Sequence, residues 1–321
     1  MSKNIRIGLI GFGKFAQKRA ESLSSIENVQ INALFEPYKA SQEDCLERFP
    51  NTVIYSDLEE MIENDSIDLF IISSPNHNHF EQCRDLLKRS ANILCEKPVA
   101  IKEQDVQELS NLFTNSNSKV FHMGSNLSYF PSYHLLLKYL RKETCKNIHS
   151  IKIQIGHTLN EEKCNWRFNK DLSGGGTLID NGTHALYFLN QILGPLNFIK
   201  TKKIAIENKI ESEIEIELET QNKEISKIEL SSTWNKDIGY SSIVLTGNEA
   251  TITANAFDEF ITIESNGETN TIKCTDLTQS LNKESQEIVL RLQKDQKYSN
   301  IEGAKQTVRI INQCYDSCIE I

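Results

Sequence analysis

The chain has 321 residues, 39% hydrophobic and 25% charged, enough apolar material for two ordinary domains and too much for a disordered protein. A formal net charge of −9 repels phosphate backbones, so no nucleic-acid partner is expected. No apolar run approaches the length of a membrane span, and the opening MSKNIRIGLIGFG runs straight into a strand pattern, so neither a membrane partner nor a signal peptide is expected. Eight cysteines (Cys45, Cys83, Cys95, Cys145, Cys164, Cys274, Cys314 and Cys318) are scattered without a CxxC pair. They read as free thiols of a cytoplasmic protein, with no metal site. The HNH stretch at His77 and His79 lacks a third ligand and reads as loop-to-helix polar residues.

The first third alternates strand and helix patterns. Apolar strands are expected at Ile5–Ile10, Gln30–Phe35, Asp68–Ile72, Asn92–Cys95 and Lys119–Gly124. Helical stretches lie between them at Phe15–Leu23, Tyr38–Phe49, His79–Arg89 and Lys102–Asn115. Strands separated by helices of this length imply crossover units and a parallel sheet covered on both faces. Ligands bind such sheets at the carboxyl ends of the strands. Glu96, Lys97 and Pro98 stand at one such end, an expensive place for a Glu and a Lys unless something holds them.

The first strand indicates the ligand. In GLIGFGKFA, Gly11 permits a tight turn, Gly13 admits close approach of a pyrophosphate to the helix that follows, and Ala16 lets that helix pack on the strand. Glu36 ends the next strand, where an acid accepts hydrogen bonds from both ribose hydroxyls of an adenosine and repels a 2′-phosphate. The pattern also fits a tight turn in another α/β protein with Glu36 solvated. Its position between strand and helix favours a dinucleotide, NAD over NADP, although the nearby Lys39 opposes the preference.

After Gly124 the pattern changes to alternating strands: IHSIKIQIGHTL, IESEIEIELE, SKIELSSTW, YSSIVLTG, ATITANA and EFITIES. Turn signals at Gly247-Asn248 and Asn266-Gly267 imply one largely antiparallel sheet, apolar on one face. The covering helices are expected at Pro131–Arg141, Thr177–Leu193 and Ala304–Ile319. The acidic strand Glu211–Glu219 reads as a solvated sheet face. The domains are therefore placed at 1–124, dinucleotide-binding, and 125–321, for substrate and oligomerisation, in an α/β chain. Three glycines, Gly174 to Gly176, precede the central helix of the second part, in which Asp180 and His184 lie one turn apart. A carboxylate beside an imidazole suits a proton-transfer base, and it equally suits a core histidine beside an early-helix acid.

Taken together, GLIGFGKFA, SSPNHNH, CEKPVA, GSN…FPS, WRFNKDLSGGGTLIDNGTH and GAKQTVRIINQCYDS resemble, along the whole chain, the glucose–fructose oxidoreductase and inositol dehydrogenase (Gfo/Idh/MocA) family. The resemblance implies an N-terminal Rossmann domain and a C-terminal α/β domain with an open-faced sheet. It implies NAD(P)-dependent oxidation of a hydroxyl of a sugar, nucleotide sugar or cyclitol, or the reverse reduction. Some relatives instead use NAD for glycoside cleavage without net redox change, and a dinucleotide-sensing regulator on the same scaffold is a third reading. By position, Lys97, Asp180 and His184 match the catalytic set. Gly11, Phe12, Gly13, Lys14, Phe15, Glu36, Ser74, Pro75, Asn76, His79, Glu96, Lys97 and Asn126 match the cofactor side. Trp166, Arg167 and Tyr187 join the catalytic set in the substrate pocket. Two positions depart from the pattern: Ser128 stands where the family usually has Arg, and Tyr187 where it usually has Asp. Relatives pair through their open sheets, so a homo-oligomer, dimer or tetramer, is expected, with an ion-paired interface weakened by salt.

Overall fold

The computed structural model describes residues 4–64, 66–140, 148–159, 165–234, 241–294 and 296–318. Cys145, Cys164, and the ends Arg141 and Ile319 of two expected helices lie outside the described residues. The chain divides into two compact units, Met1–Gly124 with Leu281–Ala304, and Ser125–Ser280 with Lys305–Ile321.

In chain order the first unit holds β1 (Ile5–Ile10), α1 (Lys14–Ser24), β2 (Val29–Phe35), α2 (Lys39–Arg48), β3 (Val53–Tyr55), α3 (Leu58–Ile62), β4 (Leu69–Ile72), α4 (Asn76–Lys88), β5 (Ile93–Glu96), α5 (Glu103–Asn115) and β6 (Val120–Gly124). The second holds α6 (Pro131–Leu140), β7 (Ile148–Gly156), α7 (Lys170–Ser173), a π-helical turn at Leu178–Gly182, and α8 (Thr183–Leu193). Its hairpin strands follow as β8 (Leu196–Glu207), β9 (Ile210–Thr220), β10 (Lys227–Thr233), β11 (Ser241–Gly247), β12 (Thr251–Asn255), β13 (Phe260–Ser265) and β14 (Glu268–Lys273). The chain then forms α9 (Ser280–Gln293), β15 (Tyr298–Ser299) and α10 (Ile301–Ser317).

The first sheet is parallel throughout, in the order β15-β6-β5-β4-β1-β2-β3. Its β3-β2-β1-β4-β5-β6 run is the doubly wound dinucleotide-binding order, whose direction reverses between β1 and β4. Ile7, Leu9, Ile71 and Leu94 are buried in its core together with Ile288 and Val289 of α9. Each such side chain contributes about 1.5–3 kcal/mol by leaving water, so α9 is part of this core. The amphipathic SLNKESQEIVLRLQ segment of α9 is not among the helices expected from sequence, and the short edge strand β3 is not among the expected strands.

The second sheet runs β14-β13-β12-β11-β7-β10-β9-β8 and is antiparallel except for the β7–β10 pair. Helix α6 packs on β12 and β13, while α8 and its π-helical turn pack on β7, β9 and β10. Ile151, Ile153, Ile214, Ile216, Leu218 and Leu230 are buried. The intervening residues carry an ion ladder: Lys200 to Glu217, Lys202 to Glu215 and Glu229, and Lys203 to Glu213. These partly exposed pairs add little stability each. They neutralise most of the acidic strand with lysines from β8. Glu211, at the head of that strand, is buried and does not belong to the solvated face. Among the described residues, no helix is long and apolar enough to cross a membrane.

Candidate active site

In the first unit the functional side chains expected from sequence gather at the carboxyl ends of the parallel strands. Gly11, after β1, has φ +89°, and a β-carbon there would come within 3.0 Å of the backbone of Ser73 and Ser74 after β4. Only glycine accepts both constraints without strain. Gly13 caps α1 in extended conformation with no side-chain cap, so the first amides of the helix point outward for an anion. A β-carbon at Gly13 would meet nothing within 4 Å, which leaves the approach to those amides open.

Glu36 is fixed by backbone donors. The Phe12 amide donates to its Oε2 at 2.8 Å and the Tyr38 amide to its Oε1 at 3.0 Å. The carboxylate is thereby fastened to the glycine turn itself. Phe12 serves through its backbone, because its ring is buried edge-on against Phe49. Lys14 and Phe15 are exposed at the start of α1. Lys39 is 87% exposed, with its Nζ 3.9 Å from Glu43.

After β4, the Ser74 hydroxyl donates to Gln82 at 2.6 Å, and Pro75 and the buried Asn76 open α4. His79 is buried, with Nδ1 2.7 Å from the Pro98 carbonyl and Nε2 2.8 Å from the Ser74 carbonyl. Burial pushes its pKa below the ordinary histidine value, against the pull of the two carbonyls toward the charged form. The ring thus sits between the loop after β4 and the loop after β5, and in its neutral form it donates to one of the two carbonyls. Lys97 stands in that second loop, half-buried, and the Lys97–Pro98 peptide is cis. Glu96 is paired with Arg19 of α1. Burial pushes the Glu96 carboxyl up to about 7, and the Arg19 guanidinium only partly offsets it.

The second unit carries the other candidates. Glu211 accepts from the amides of Gly176 and Leu178, both at 3.0 Å, and from the Tyr315 hydroxyl at 2.6 Å. These bonds replace the missing cap at the start of the helical segment that bears Asp180 and His184. Burial raises the Glu211 pKa while Tyr315 and the amides lower it, with a net upward shift. A π-helical turn carries Asp180, and Asn181 donates to the Thr177 hydroxyl and the Thr233 carbonyl, each at 3.2 Å. That orientation turns the Asn181 oxygen toward His157, whose Nδ1 therefore carries a proton and donates at 2.6 Å. The other ring nitrogen of His157 faces Asp180 at 3.7 Å, and Arg167 Nε lies 3.9 Å from the same carboxylate. Arg167 stacks over Trp166, 4.3 Å from the ring centroid.

His184 Nδ1 lies 3.1 Å from the Ser125 hydroxyl, a group that donates or accepts and so adapts to either tautomer. Asn126 donates to Ser280 at 3.2 Å, and Ser128 bonds Gln191. Tyr187 is 6% exposed and sits in the core of α8. Ser125, His157, Glu211 and Tyr315 were missed by sequence reading. His157 directly follows β7, inside the strand pattern IHSIKIQIGHTL, and a polar residue near a strand end was the available signal.

The bare glycine turn, the uncapped helix start and the tethered Glu36 fit the phosphates and adenosine ribose of a dinucleotide. Residues 5–125 match the Gfo/Idh/MocA family, "Oxidoreductase family, NAD-binding Rossmann fold", and residues 135–253 match its "GFO/IDH/MocA C-terminal domain". Glucose-6-phosphate 3-dehydrogenase of Bacillus subtilis is 27% identical over 184 residues, 56% of this chain and 51% of the relative. The chain thus spans about half the length of that protein. An oxidoreductase of Formosa agariphila is 25% identical over 277 residues, 83% of this chain and 84% of its own. The scyllo-inositol 2-dehydrogenase (NADP(+)) of Bacillus subtilis is 24% identical over 213 residues, 65% of this chain and 64% of its own. Among solved structures, levoglucosan dehydrogenase in complex with NADH and levoglucosan has a TM-score of 0.89 over 99% of this chain and 98% of its own, at 16% identity, a likeness of fold.

Proposed function

The chain belongs to the Gfo/Idh/MocA oxidoreductase family, and on that premise we propose that it transfers hydride between NAD(P) and a hydroxyl or keto group of a sugar, nucleotide sugar or cyclitol. The observation that carries this reading is the meeting of the open glycine turn, Glu36 and Lys97 at the carboxyl ends of one parallel sheet. When bound, the nicotinamide supplies the hydride donor or acceptor. The amides at the start of α1 would hold the dinucleotide's pyrophosphate, and Glu36 would accept from its adenosine ribose hydroxyls. His184 takes the proton from the substrate hydroxyl, oriented by Ser125 and by the acid Asp180. Lys97 places a positive charge where an alkoxide develops. Trp166 and Arg167 provide an aromatic surface and donors for a polyhydroxylated ring. The free thiols Cys45, Cys83, Cys95, Cys274, Cys314 and Cys318 support a cytoplasmic setting.

NAD is the preferred cofactor on this reading, because Glu36 stands where a 2′-phosphate would lie and Lys39 is turned to solvent. Calorimetric titration should show NADH binding more tightly than NADPH. Gly13→Ala should keep the wild-type melting temperature, since its methyl meets open space, and should weaken NADH at least tenfold by covering the helix amides. Tighter NADPH binding would overturn the cofactor assignment, and undiminished NADH affinity in Gly13→Ala would remove the pyrophosphate from this turn.

The ladder of Lys200, Lys202 and Lys203 with Glu213, Glu215, Glu217 and Glu229 also supports the homo-oligomer, since a face bearing both signs can meet its own copy. Light scattering should show a dimer or tetramer that loosens at high ionic strength. A monomer in both salts contradicts the assembly, and a dimer indifferent to salt contradicts the ion-paired interface.

A further inference from the structure

Arg19 is wholly buried in the middle of α1. Its Nε donates to Glu96 Oε1 at 3.1 Å, and its Nη2 lies 3.0 Å from the same oxygen and 2.7 Å from Glu284 Oε2 on α9. Glu284 is also fully buried, and its other oxygen accepts from His122 Nε2 of β6 at 3.0 Å. One guanidinium therefore spans two carboxylates from different elements. The fork of arginine suits that task and a lysine point charge does not. Arg19 Nη1 has no hydrogen-bond partner among the described residues, so the burial carries a cost that packing alone would avoid. Apolar residues of similar volume stabilise a core as well as, or better than, such a cluster.

Position explains its presence. Glu96 is the last residue of β5 and immediately precedes Lys97. Its neighbour across the sheet is Gly124. A β-carbon on Gly124 would come 3.0 Å from Glu96 Oε2 and 3.2 Å from Arg19 Nη2. Gly124 has no left-handed backbone to require glycine, so its missing side chain makes room for the ion pair. The same helix α1 begins at the glycine turn.

We propose that Arg19 is a positioning residue for Lys97: through Glu96 it locks the end of β5 to the dinucleotide helix and to Glu284, with Gly124 providing the space. This rests on the function proposed for Lys97. The lock fixes the backbone that carries the lysine and joins it to the helix that holds the pyrophosphate, so the two keep one spacing.

The test uses the full-length protein with Gly124→Ala and Arg19→Lys. The first pushes the Glu96 carboxylate aside by a few tenths of an ångström without changing charge, and it keeps the test available should Arg19→Lys fail to fold. Lys97 is acetylated with limiting acetic anhydride at pH 8, and its peptide is quantified by mass spectrometry against Lys39, which is 87% exposed and remote in sequence. We expect the Lys97:Lys39 labelling ratio to change at least threefold in Gly124→Ala, with a melting temperature close to wild type, and to change in the same direction in folded Arg19→Lys. An unchanged ratio in folded variants, whether or not the melting temperature falls, overturns the inference and leaves Arg19 a structural residue. Failure of the wild-type protein to bind NADH would instead overturn the proposed function, so the two readings fail separately.

Discussion

Lys97→Ala and His184→Ala are each expected to lower turnover by about 10²–10⁴, the usual cost of removing one proton-transfer or charge-stabilising group. In barrier height that is roughly 3–5 kcal/mol at 1.36 kcal/mol per decade. The proposed mechanism assigns both groups to the same proton-and-hydride transfer, so it expects the double variant to lose little more than the worse single one. His184 is held by Ser125 and Lys97 by the loop between Glu96 and Pro98, so neither substitution removes a core side chain. The variants should keep their melting temperature and bind NADH. The measurement is steady-state NADH absorbance across sugars, nucleotide sugars and cyclitols, first to find a substrate for the wild type and then to compare the variants on it. Wild-type turnover in either variant would remove that residue from the chemistry.

Gly176→Ala is expected to be among the most destabilising single-methyl changes in the molecule. Its β-carbon would fall 2.0 Å from the Glu211 backbone oxygen and 2.8 Å from the carboxylate that caps the segment. The first contact is with β9 backbone, which has no rotamer to give way. Overpacking of this kind costs about 3 kcal/mol or more. For the unit that carries it, Ser125–Ser280 with Lys305–Ile321, that is roughly 6–12 °C in melting temperature, at 2–4 °C per kcal/mol. The bonds from Gly176 and Leu178 to Glu211 would be strained or lost with it, displacing Asp180. A thermal melt decides the matter, and a midpoint within 2 °C of wild type would show that the turn has room the structure denies. Gly13→Ala is the internal contrast, since the same methyl there meets nothing.

Both glycines were visible as letters in motifs, yet their reasons differ in kind. Gly13 was legible because the strand–glycine–helix pattern is local: every group that makes the turn lies within a few residues. Glu36 was legible for the same reason, being the end of the next strand, although its tether to the Phe12 amide was not. Gly176 was legible only as part of GGG. The oxygen it must avoid belongs to Glu211, 35 residues later, and the tyrosine that shares that carboxylate is 104 residues further on. Glu211 itself sat in an acidic strand whose period placed it on the solvent face. The register shift between Ala205 and Ile206 lies opposite it on β8, and the β9 burial pattern breaks from alternation there.

The sequence by itself determined the fold class and the glycine turn, because periodic apolar runs and short motifs are set by contacts near in the chain, whereas Lys97, Asp180 and His184 became candidates as a set only through the family resemblance. Tertiary structure alone decided that α9 returns to the first core, that Arg19 spans Glu96 and Glu284, and that His79 lies between the Ser74 and Pro98 carbonyls. It also decided that His157 and Arg167 flank Asp180. A buried charge or a two-ended imidazole is paid for by partners that only the folded backbone brings within 3 Å or so, and no residue spacing in a linear chain encodes which partners those are.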